Sequence, residues 1–191
     1  MISILIGLSF TFSSNEHVPS FTVQFNHGEI GQNVTVCIDN DLVETSFAGK
    51  LRFFDGKRSW MSLCADVRSP IRNGQTFSIT LRRTDSLGLG YKMAGSIVYH
   101  CFEAARTEAQ CAGLQLAVWE AIEDGGDQPD FTSGHFRVRA DATVLAYATA
   151  YYGAAFSGGS AFLLQTSGAQ GGASQGDGSP GGGDGQSQIT P

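Results

Sequence analysis

Apolar and polar residues alternate through the first half of the chain, and near residue 90 the period lengthens to that of a helix. Phe21, Val23 and Phe25, then Val34, Val36 and Ile38, place every second side chain on one face, as in a strand with one buried side. Asn26-His27-Gly28 and Gly31 separate the two runs and predict a hairpin turn over residues 19–38. Asp39-Asn40-Asp41 is a polar break before Leu42-Val43. Residues 48–54 predict another strand, ended by Asp55-Gly56, and residues 59–67 a further one. Pro70 and Asn73-Gly74 then interrupt the chain, and residues 75–81 alternate cleanly. Residues 19–83 therefore read as an antiparallel β unit.

Helical spacing follows. Met93, Ile97, Val98, Cys101 and Phe102 predict a helix over 93–103. A second is predicted over 107–123, with Thr107 and Gln110 spaced as a capping box and Asp124-Gly125-Gly126 as the stop. Residues 131–138 return briefly to strand, Asp141 is placed to cap a third helix ending at Gly153, and residues 160–165 form a last strand. The expected class is α+β: an antiparallel β-barrel or sandwich subdomain with an inserted helical subdomain at 91–125. Residues 1–45 form an N-terminal β segment, 46–165 the main domain and 166–191 a tail rich in Gly and Ser that cannot bury apolar surface. The apolar start, residues 1–10, fits a first strand or a signal-like segment, although it lacks a basic flank and a small-residue cleavage site.

Composition narrows the function classes. The 41% hydrophobic content can build a core, while a net charge of −6 with twelve scattered Lys and Arg argues against a nucleic-acid partner. No apolar run reaches the roughly 20 residues of a membrane helix, so no membrane insertion is expected within this chain. There is no phosphate loop and no Ser/His/Asp motif, and the cysteines lack metal-ligand spacing, so no cofactor or metal is expected.

One residue breaks the helical pattern of 107–123. With successive residues about 100° apart and Leu114 at zero, Gln115 falls near roughly 100°, between Ile122 at about 80° and Trp119 at about 140°. A buried amide without partners costs about 1–3 kcal/mol. Gln115 is therefore either hydrogen-bonded in the core or chemically used.

Leu114-Gln115-Leu116-Ala117-Val118-Trp119 resembles the hydrophobic-Gln-x-x-hydrophobic-Trp motif of the bacterial Cys–Gln thioester domains found in surface adhesins. Leu63-Cys64-Ala65-Asp66 resembles the family's hydrophobic-Cys-x-Asp form, and the order, Cys on a strand and then Gln on a helix, is similar. Ala48-Gly49, residues 71–76 and residues 119–124 also look like family segments, so the resemblance spans about 46–165. It implies an internal thioester joining the Cys64 sulfur to the Gln115 carbonyl, supported by Leu63 and shielded by Trp119. It further implies a secreted or surface-exposed protein that attaches once, through an amide, to an amine on a target molecule; it would not be a turnover enzyme. The competing expectation is a non-covalent β-rich binding or structural module in which Cys64 and Gln115 are ordinary core residues.

Cys37-Ile38-Asp39 also has the Cys-x-Asp form, which makes Cys37 the rival partner, and Cys101 is a poorer one. Cys101 and Cys111 fall on adjacent helices, where a disulfide and two free buried thiols fit equally. His100 and His135 are candidates for proton transfer, each weighed against an ordinary surface role. Asp124, Asp127 and Asp130 could offer oxygens to Ca2+, but their spacing does not match an EF-hand loop and reads as a solvated acidic loop.

Overall fold

The chain is built along one long strand. The computed structural model describes residues 3–6, 20–39 and 41–169, and within it β2 (Ser20–Ile38) runs through the region where a hairpin was expected. Gly28 and Gly31 do not turn the chain. A side chain at Gly28 would strike the ring of Phe47, and one at Gly31 would strike the backbone of Ala48, so these glycines let two strands lie close together. The pairing of β2 with β3 (Asp41–Phe54) shifts register at Phe25/His27, Gly28/Ile30 and Val34/Val36, and such irregularities bend a strand without ending it. The turn lies later, at Asp39, which takes a positive φ of 49°. Ile38 then pairs with Asp41, so the chain reverses just after β2, and the boundary expected between residues 45 and 46 falls inside β3.

The other strands are β1 (Ser3–Ile6), β4 (Ser59–Cys64), β5 (Thr76–Arg83), β6 (Phe136–Arg139) and β7 (Phe162–Ala169). They form one seven-stranded sheet in the order β3-β4-β1-β7-β5-β2-β6, with β2 also paired to β3 and every pairing antiparallel. The start of the chain thus contributes β1, between β4 and β7. The strand β7 carries on to Ala169, past the expected end at 165, because it pairs with β5 as far as Phe77. The rest of the expected tail lies outside the described residues.

Helices α1 (Leu89–Cys101) and α2 (Glu108–Glu123) are inserted between β5 and β6, and α3 (Ala142–Tyr152) follows β6. The α+β class and the helical insert stand as expected. The predicted capping box closes the start of α2, with Gln110 N donating to Thr107 Oγ1 at 3.3 Å and Thr107 N to Gln110 Oε1 at 3.1 Å. Asp141 occupies the N-cap of α3 but makes no side-chain cap hydrogen bond. Among the described residues no helix is long and apolar enough to cross a membrane.

Every residue of α2 from Cys111 to Ala121 is buried. One flank packs Ala112, Leu116 and Trp119 into a core with Val23, Phe53, Phe77 and Phe136 of the sheet; the other packs Leu114, Ala117 and Val118 with Met93 and Ile97 of α1 and Tyr152 of α3. A helix buried all round holds its side chains in fixed rotamers. It is a rigid platform for a site.

Candidate functional site

Two elements meet at the site: the end of β4 and the middle of α2. The β3–β4 ladder ends at the Leu51–Ser62 pair, and two residues later Cys64 lies opposite Ile4 of β1. Gln115 takes up both main-chain polar groups of Cys64. Cys64 N donates to Gln115 Oε1 at 2.8 Å, and Gln115 Nε2 donates to Cys64 O at 2.7 Å, across 51 residues of sequence. The side-chain amide thus stands where a neighbouring strand's peptide would stand, and it continues the ladder that β3 has left. Cys64 and Gln115 are both fully buried. The polar misfit read from the sequence is a paired amide.

Adjacent residues of β4 face opposite sides, which divides their surroundings. Leu63 packs into the helical core with Leu114 and Val118, whereas Cys64 packs into the sheet core with Leu116 and Trp119. The Cys64 thiol donates to Asp66 O at 3.2 Å. Burial pushes its pKa well above that of an ordinary thiol; its hydrogen bond to Asp66 and the indole of Trp119 oppose that shift. The buried Trp119 indole N–H makes no hydrogen bond of its own.

The turn after Cys64 is tied down from both ends. Asp66 accepts from Arg68 N at 2.9 Å and from Ser69 Oγ at 2.8 Å. The Arg68 guanidinium bonds both carboxylate oxygens of Glu123 at 2.8 and 2.6 Å and reaches Asp39 at 2.8 Å. Asp39 also accepts from His135 Nδ1 at 2.6 Å, which holds the Asp39 carboxyl below its usual range and raises the imidazole. This chain of charges links the β2–β3 turn to the end of α2. Asp66 was named in the sequence only as part of a motif, and nothing in the periodicity singled out Arg68.

The other candidates lie elsewhere. Cys37 is on β2, where Arg137 Nη2 approaches its sulfur at 3.0 Å, and Gln115 bonds Cys64 instead. Cys101 and Cys111 are both free thiols; Cys111 donates to Ala105 O at 3.5 Å. His100 bonds Gly158 O at 2.7 Å, and His135 is committed to Asp39. The Asp124 carboxylate accepts from His135 N and Phe136 N, and Asp130 accepts from Thr132 and Ser133, so both fasten the 124–136 loop. Among the described residues no group of three or more His, Cys, Asp or Glu could hold a metal ion. Two surface cavities, one lined by Leu89, Lys92 and Phe156 and the other by Cys37, Phe131 and Arg137, include neither Cys64 nor Gln115.

Two buried charges escaped the sequence reading. Lys50 on β3 donates to Phe102 O and Ala105 O, both at 2.7 Å, and sits 4.3 Å from the centre of the Phe102 ring. Glu120 on α2 accepts from Asp130 N at 2.8 Å through one oxygen, while its other oxygen is buried without a partner. Burial raises its carboxyl to about 7. No family model matches the chain, and neither a curated protein nor a solved structure matches it.

Proposed function

We propose that this chain is a thioester domain of the Cys–Gln kind, secreted or displayed at a cell surface, that binds an amine-bearing target covalently through Gln115. The observation that carries this reading is the reciprocal hydrogen-bond pair between the Gln115 amide and the Cys64 main chain. It holds the amide carbon against the residue whose sulfur would attack it.

The chemistry follows from that placement. Sulfur attacks Cδ of Gln115, and the oxygen that gains charge is the one already bonded by Cys64 N–H, an oxyanion-type donor fixed in place beforehand. The C–N bond breaks, the thiol proton ends on nitrogen, and ammonia leaves. Burial then keeps water from the thioester. A target amine later attacks the same carbon, forms an amide and expels the Cys64 sulfur, a better leaving group than an amine. One bond is made per molecule, without turnover, and the steps need no cofactor.

The same geometry favours one other reading. A Gln115 amide paired on both its oxygen and its nitrogen is also what a non-covalent β-rich binding module would contain. Intact mass separates the two. The thioester form is lighter by one ammonia, and methylamine adds at Gln115. Cys64→Ala abolishes both effects, and Cys37→Ala leaves both intact. A full-mass chain that ignores methylamine overturns the thioester reading.

A further inference from the structure

Resting on the thioester reading, we propose that the indole N–H of Trp119 donates a hydrogen bond to the Cys64 sulfur as the bond opens, so that Trp119 stabilises the leaving thiolate as well as filling the core. Trp119 follows Gln115 by one helical turn, which puts the two on one face of α2. That face meets Cys64: Gln115 bonds its main chain, and Trp119 shares its apolar core. The ring is fully buried and braced by Phe136, with centroids 6.1 Å apart. Its N–H nevertheless has no acceptor, a state that few buried donors occupy. A donor left without an acceptor in the resting site, in the same core as the sulfur, is available for charge that appears only during reaction. The direction in which Trp119 acts on the thiol, toward the thiolate, agrees.

The step balances. The amine nitrogen bonds Cδ of Gln115, the C–S bond breaks and its electron pair goes to sulfur. The Trp119 N–H holds that thiolate until it takes up the proton released by the amine. An indole that merely shields the bond would act differently, since loosening it would admit water and speed the loss of the thioester.

The test compares wild type, Trp119→Phe, and a chain carrying β-(3-benzothienyl)alanine at position 119 alone, which replaces the N–H with sulfur in a ring of similar size. Mass spectrometry follows methylamine addition and spontaneous hydrolysis per thioester-bearing chain. Both rates are expected to fall about 10- to 100-fold in the benzothienyl chain, the worth of one hydrogen bond to a charged group. Trp119→Phe is expected to slow both as well. A folded benzothienyl chain that no longer loses ammonia also supports the assignment, because thioester formation passes through the same thiolate. Wild-type rates in the benzothienyl chain, or faster hydrolysis in both variants, overturn the donor role and leave the thioester reading standing. Absence of ammonia loss in the wild type overturns both.

Discussion

At the scale of single residues, two long polar side chains in the core are answered by the main chain. Gln115 is answered by Cys64, and Lys50 by two carbonyl groups beyond the end of α1. Lys50 occupies a position where the chain leaves a helix and carbonyls lack partners, so its ammonium does the work of a cap. Replacing it by Met keeps the stem and strands both carbonyls. We expect Lys50→Met to lower stability by about 2–4 kcal/mol, read as a lower denaturant midpoint at unchanged slope. Lys50 was illegible in the sequence because lysine in a strand reads as outward-facing, and only the segment between α1 and α2, carried over β3 by the packing of α2, turns it inward. Gln115 was legible for the opposite reason: its polar side chain sits within a run of apolar helical positions.

At the scale of elements, α2 must hold Gln115 at hydrogen-bond distance from β4 while being packed from every side. Gly113 allows this. A side chain there would come within 2.6 Å of Tyr147 Cβ and 2.9 Å of Ala148 N, so α3 rides directly on the α2 backbone. Gly113→Val should push the two helices apart and cost about 1–3 kcal/mol. Under the proposed thioester chemistry, bond formation should suffer with it, so a larger share of the folded chains should keep their full mass in intact-mass spectra. The 124–136 loop hangs from the same helix through Glu120 and Asp124. Glu120 has its pKa raised from 4.5 to about 7, so the folded state favours its neutral form. Its contribution to stability is full below about pH 4.5 and is lost as pH rises through about 7. Glu120→Gln keeps the oxygen that accepts from Asp130 N and removes the titration. Relative to wild type, that variant should be more stable by about 1–3 kcal/mol above pH 7, with the difference vanishing toward pH 5, as a series of thermal melts would show. None of this was visible in the sequence, where Glu120 is one polar residue next to Trp119 and the acidic loop suggests solvent.

At the scale of the whole molecule, the order of strands and helices was readable, whereas the route of the chain through the sheet was not. Alternation located β5 and β6, and the change of period located α1 and α2, because these follow from side-chain spacing alone. The continuity of β2 was hidden because glycine carries two meanings. It permits turns, and it also permits two backbones to approach, as Gly31 and Gly49 do where β2 passes β3. The pairing of β1 between β4 and β7 joins residues far apart in sequence, and no local pattern encodes it. That pairing carries a consequence for timing. During synthesis β1 and β4 emerge long before β7, so the strand bearing Cys64 completes its surroundings only when residues 162–165 arrive to flank β1. Under the proposed thioester chemistry, the acyl bond would therefore form only after translation has passed β7, and until then Gln115 keeps its amide and offers amines no electrophile.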